Sequence, residues 1–185
     1  MKSRGFTVIE LLVVIIIMAI LLTLAVVNVR STQMNARDAE RRADVENIAM
    51  VLETFYNSTH PPMYAYVNDI TRVYPGSFDL LNPPEGTYVQ DYVKARLPKG
   101  SLYAPGADLE GDWSLVAATN TNTTLTGVTP QPTTSTYVYQ PLQESFFCYG
   151  AFFYEECKSF SIYYALESPT KDCPDKICVI RSKHQ

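Results

Sequence analysis

A single apolar run constrains this chain more than any other feature: from Phe6 to Val27 only Thr7, Glu10 and Thr23 interrupt residues that avoid water. As a helix rising about 1.5 Å per residue, the run covers about 33 Å, the thickness of a bilayer's hydrocarbon core. It can span a membrane. It is too long for the apolar core of a secretory signal peptide, and Arg30 follows it without a small-x-small cleavage site. Lys2 and Arg4 precede the run. Basic residues there keep the short N-terminal end inside, so the expected topology across the cytoplasmic membrane is N-in, C-out.

Glu10 needs a reason. An ionisable residue in such a segment costs about 2.5–3.5 kcal/mol on insertion scales, which makes it a functional candidate. If the chain were cut after Gly5, the new amino group of Phe6 would lie one helical turn from Glu10. The two charges could neutralise each other within a chain or between adjacent chains, and the second arrangement would set the stagger of a helical polymer.

The segment Arg4-Gly5-Phe6-Thr7-Val8-Ile9-Glu10, followed by a full apolar helix, resembles the class III signal of type IV prepilins and pseudopilins. That resemblance implies a leader peptide at residues 1–5, cleavage between Gly5 and Phe6 by a membrane-embedded prepilin peptidase, N-methylation of Phe6, and a role for Glu10 in subunit assembly. It implies a homo-oligomeric helical filament whose core is the helix 6–27. A cytoplasmic assembly ATPase and an inner-membrane platform protein would drive polymerisation, leaving this chain as passive cargo rather than an enzyme. Losing Lys2 and Arg4 would take the formal side-chain charge from −4 to −6. Many type IV pilins carry a Pro where this chain has Val27, so local melting of the helix in a filament is not implied here.

No Gly or Pro occurs between Phe6 and Thr59, so the helix is expected to continue through an extramembrane part, 28–59, and to stop at His60-Pro61-Pro62. Val45, Ile48, Leu52 and Phe55 recur at steps of three and four, supported by Ala49 and Tyr56, and form one face that packs on a globular part. Residues 37–46 are rich in charge. They read as a solvated, self-paired surface with Asp38–Arg42 and Arg42–Glu46 at i,i+4 and further pairing between subunits.

The globular part, 60–185, begins with a connecting region dense in Pro, carrying turn signals at Pro75-Gly76, Pro83-Pro84, Lys99-Gly100 and Pro105-Gly106. Val89, Tyr92, Val93 and Leu97 allow a short helix. Strands are expected at Trp113–Ala118, Tyr137–Gln140, Ser159–Glu167 and Ile177–Arg181, where β-branched and aromatic residues alternate. Residues 119–136 contain nine Thr and are too polar for a core, which suits an exposed loop or strand connection. The expected architecture is α+β, a long helix on a small antiparallel sheet, the ladle of a pilin subunit.

All four cysteines, Cys148, Cys157, Cys173 and Cys178, fall near the C-terminal end of the chain. Beyond a membrane span this favours disulfides in an oxidising compartment over buried thiols or zinc, for which the paired short hooks are missing. Three connectivities are open. The Pro174–Ile177 loop, able to return the chain on itself, favours 148–157 with 173–178.

Only His60 and His184 are histidines, and no phosphate loop, zinc-protease or hydrolase motif is present, so no catalytic residue, metal or cofactor is implied. Asp172 and Asp175 are too few for calcium. Asn57-Ser58-Thr59 and Asn122-Thr123-Thr124 fit a short glycosylation pattern. The acidic balance speaks against nucleic acid as a partner of the whole surface. Two function classes follow. The first is a structural subunit of an extracellular type IV pilus, serving adhesion, twitching motility or DNA uptake, with a pseudopilin of a type II secretion system as its close alternative. The second is an uncleaved single-pass membrane protein whose outer domain binds a ligand.

Overall fold

The computed structural model describes residues 6–58, 73–82, 89–107, 113–143, 146–148 and 157–184. The cleavage site at Gly5, the stop at His60-Pro61-Pro62 and the Pro83-Pro84 turn lie outside the described residues. Contacts divide the chain into two compact units, Met1–Arg37 and Asp38–Gln185.

Helix α1 runs Val8–Asn57, uninterrupted because nothing within it lacks an amide hydrogen or frees the backbone. In the second unit its stripe Val45, Ile48, Leu52 and Phe55 is no more than 3% exposed. Each such side chain stabilises the fold by about 1.5–3 kcal/mol. Opposite it lie Leu80 of α2 (Ser77–Leu81), Val89 and Val93 of α3 (Val89–Arg96), and the inner face of a sheet. Helix α2 follows Pro75-Gly76, where the turn signal hides it, and a single 3₁₀ turn occupies Lys99–Leu102. Tyr74 stacks on Tyr56 at 4.6 Å and meets Phe160 edge-on at 4.8 Å, tying the helix to the sheet through three rings.

The strands are β1 (Leu115–Ala117), β2 (Tyr137–Gln143), β3 (Phe146–Phe147), β4 (Ser159–Ala165) and β5 (Ile177–Arg181), ordered β1-β2-β4-β5 with β3 pairing the far end of β2. The sheet is mixed, which corrects the wholly antiparallel expectation: Leu115 to Ala117 run parallel to Tyr137 to Tyr139. A parallel pair needs a crossover of roughly a dozen residues or more, and the Thr-rich segment after β1 supplies it. Strand β2 also passes through Pro141, which Tyr137–Gln140 as a strand had stopped short of. The carbonyl of Pro141 accepts from the Cys148 amide, away from β4, and β1 ends opposite Tyr139. The missing N–H therefore faces the same open side and removes no ladder bond to β4.

Alternation splits the sheet into two faces. Tyr137, Tyr139, Phe160, Ile162 and Tyr164 enter the main core, whereas Val138 and Tyr163 join Ala118 and Val128 in a second cluster. The Thr-rich segment thus covers this second face instead of only connecting strands. Its anchor is Gln140, fully buried, whose Nε2 donates to the carbonyls of Asn120 (2.7 Å) and Asn122 (3.1 Å) while Oε1 accepts from the Tyr163 hydroxyl at 3.1 Å. Asn122 folds back over Gly127 so closely that a Cβ there would overlap its side-chain amide. Gly127→Ala is expected to expel the Asn122 side chain, break its bonds to Thr124 and raise hydrogen exchange at the Thr124 amide while leaving β4 and β5 protected.

The charged stretch of α1 is only in part the solvated surface expected of it: Glu40 and Glu46 are exposed, but three other charges are not. Asp38, Arg41 and Asp44 are buried, at most 7% exposed. The Arg41 guanidinium pairs with Asp38 at 2.9 Å and Glu167 at 3.0 Å, and it donates to the carbonyls of Thr134 (2.8 Å) and Pro105 (3.1 Å). Asp38 also accepts from the amides of Glu167 and Ser168 at 2.8 and 3.0 Å, and Arg42 reaches the Thr170 hydroxyl. These charges are buried because three loop ends bring carbonyls and amides that replace water.

Asp44 accepts from the Tyr137 hydroxyl at 3.0 Å. Burial raises its carboxyl from its ordinary value, opposed by the hydrogen bonds from Ser101 and Tyr137, and burial likewise raises the Tyr137 phenol. A raised carboxyl holds its proton more tightly folded than unfolded. Its contribution to stability is therefore full below the unfolded pKa and is lost as pH rises through the folded one. Asp44→Asn is expected to remove that loss: urea unfolding followed by the fluorescence of Trp113, the single tryptophan, should show a smaller decline from pH 4 to pH 7 in the variant than in the wild type. Other carboxylates cancel in the difference.

Candidate functional site

Two places on the chain could carry function, and they differ in kind. In the first unit, Phe6 is 79% exposed and the apolar side chains from Val8 to Leu24 are exposed throughout. The most apolar window of α1 has a mean hydropathy of 3.1, long and apolar enough to cross a membrane. Such a surface is unstable in water and must be covered by lipid or by other chains.

At its start, Thr7 and Glu10 bind each other. The Thr7 amide donates to Glu10 Oε2 at 2.9 Å, the Thr7 hydroxyl donates to the same oxygen at 2.8 Å, and the Glu10 amide donates to Thr7 Oγ1 at 3.2 Å. This is a capping box: Thr7 is the N-cap of α1, and the residue three positions on closes it reciprocally. Sequence reading treats Thr7 only as an interruption of the apolar run, although Thr-x-x-Glu ahead of apolar residues is itself the signal. Glu10 is thus partnered within its own uncleaved chain. Gly5 lies outside the described residues.

In the second unit, Cys148 is bonded to Cys157 and Cys173 to Cys178, with Cα separations of 5.7 and 5.3 Å. The first bond holds the end of β2–β3 beside Tyr74, whose amide donates to the Cys157 carbonyl at 2.8 Å. The second closes the turn into β5. His184 stacks on Tyr56 at 4.4 Å and lies 3.7 Å from the Glu53 carboxylate, while Glu53 also receives the Tyr74 hydroxyl and the Lys183 amide. These contacts fasten the segment after β5 to α1. The side chain of Asn122 is turned onto Thr124 and that of Asn57 onto the Glu53 carbonyl. Among the described residues no group of His, Cys, Asp and Glu is arranged to hold a metal ion.

The family comparison bears on the first place: residues 1–26 match the prokaryotic N-terminal methylation motif. Residues 1–26 thus carry the class III signal found on type IV pilin-like and pseudopilin precursors. No curated protein and no solved structure matches it. The motif belongs to a structural rather than a catalytic family, and a precursor of this kind is handled by pilus or pseudopilus assembly machinery. Its class III signal and apolar helix fit insertion in a membrane before assembly. The capping box sits inside the matched motif, and the disulfide-tied sheet lies outside it.

Proposed function

We propose that the chain is the structural subunit of an extracellular type IV pilus, serving adhesion, twitching motility or DNA uptake. Prepilin peptidase hydrolyses the Gly5–Phe6 bond, removes residues 1–5 and methylates Phe6. Residues 6–27 then leave the cytoplasmic membrane, where the chain sits N-in and C-out, and form the core of a filament at the cell surface. Residues 28–59 and 60–185 form the extramembrane helix and the head. A platform membrane protein and an assembly ATPase supply the work.

The observation that carries this reading is the methylation motif at residues 1–26 on a helix whose apolar side chains are exposed up to Leu24. Glu10 is the only charged side chain from Phe6 to Val29. A homopolymer hides such a surface by laying identical helices side by side. The two disulfides and the charge-free span Ser114–Gln143 suit a domain displayed outside the cell, and favour the pilus over the pseudopilus of a type II secretion system.

The test is the intact N-terminal peptide, determined by mass spectrometry from sheared surface filaments of cells carrying the prepilin peptidase. A peptide beginning at methylated Phe6 supports the proposal. Cleaved chains confined to the cell envelope would favour the pseudopilin. Chains recovered only with Met1 in place, in membranes, would sink both and leave the membrane-anchored ligand-binding protein.

A further inference from the structure

We propose that Thr7 is a positioning residue that aims Glu10 at the chain terminus which cleavage will create. The consequence for assembly rests on the pilin-like reading above; the geometry does not. In the uncleaved chain the Glu10 carboxylate is not free to extend along the helix. Both donors of Thr7 hold one of its oxygens, at 2.9 and 2.8 Å, and the returning bond from the Glu10 amide to Thr7 Oγ1 fixes the hydroxyl that does so. The side chain is therefore folded back over the first turn, toward Phe6.

Two physical effects follow. First, a carboxylate entering an apolar phase is costly unless hydrogen-bonded, and here two donors of Thr7, its amide and its hydroxyl, accompany it, so membrane insertion does not need a second chain. Second, hydrolysis of the Gly5–Phe6 bond leaves an ammonium on the residue directly before Thr7. A carboxylate already directed at that end needs no reorientation to meet the new charge, from its own chain or from an adjacent copy. Thr suits this position because its hydroxyl can donate and accept together. Val has the same shape and can do neither. Ser keeps the hydroxyl.

The experiment uses the full chain with its peptidase and compares wild type, Thr7→Val and Thr7→Ser. Filament recovered by shearing is measured relative to cleaved chain. Thr7→Val is expected to lower that ratio about fivefold, the equilibrium effect of losing one N-cap, with cleavage unchanged, while Thr7→Ser stays close to wild type. Wild-type filament levels in Thr7→Val, or a Thr7→Ser as deficient as Thr7→Val, would overturn the proposal. A second measurement does not depend on filaments. In the uncleaved full chain in detergent micelles, the Thr7 amide proton should exchange slowly and change its chemical shift in Glu10→Ala. An amide indifferent to Glu10→Ala overturns the capping geometry. A wild-type chain never cut after Gly5 would instead remove the pilus reading and leave the micelle measurement to decide the cap.

Discussion

Arg41→Ala is expected to lower the stability of the unit Asp38–Gln185 by about 3–5 kcal/mol, the usual loss when one member of a buried ionic group is removed. Ordinary domains have only about 5–15 kcal/mol to lose, so the variant should sit near the edge of folding. The size of the effect comes from what is left behind. Asp38 and Glu167 would lose the guanidinium that meets them at 2.9 and 3.0 Å. The carbonyls of Thr134 and Pro105 would lose their donor. Arg41→Lys should recover only part of the loss, since a single ammonium cannot reproduce a planar fork that serves two carboxylates and two carbonyls. Urea unfolding in micelles, followed by Trp113 fluorescence, should show the midpoint falling by about 2 M in Arg41→Ala. A shift within about 0.3 M of wild type would mean that water replaces the guanidinium at little cost, and that the cluster does not hold the helix to its loops.

Glu10→Ala is expected to reduce sheared filaments at least about tenfold while leaving cleavage after Gly5 intact. The carboxylate costs about 2.5–3.5 kcal/mol at mid-membrane, so its removal should make the helix insert more readily. A fall in filaments despite easier insertion can only come from assembly. Glu10→Gln separates the two parts played by this side chain. Its amide oxygen can still accept from Thr7, which keeps the cap, but it carries no charge for the Phe6 ammonium. If charge neutralisation between chains governs assembly, Glu10→Gln should be as deficient as Glu10→Ala. Full filament yield from Glu10→Ala would show that apolar contact among the helices suffices.

What could be read from the sequence is what depends on near neighbours. The stripe Val45, Ile48, Leu52 and Phe55 needs only helical spacing to be recognised, and the strand Ile177–Arg181 needs only a short apolar run between turns. Arg41 could not be read in this way, because all its partners but Asp38 stand 64, 93 and 126 positions away, and a charge on a helix looks solvated until those loops arrive. The parallel pairing of β1 was hidden for a related reason: a polar crossover carries no mark of the end of the sheet to which it delivers the chain. Two-residue β3 is too short to show a period. Thr7 differs, since its signal is local and was masked only by the stronger apolar pattern around it.

The Thr-rich segment has a practical consequence for anyone wishing to see this protein in living cells. A long, charge-free loop invites insertion of an epitope or a dye-binding peptide. Here that insertion would pull Val128 and the partners of Gln140 off the sheet and leave Tyr163 and Val138 uncovered, so the label would report a damaged fold. Pro174 and Asp175 are the better place: both are exposed, and the Cys173–Cys178 bond closes the turn on itself, so cargo added there is isolated from the rest of the fold.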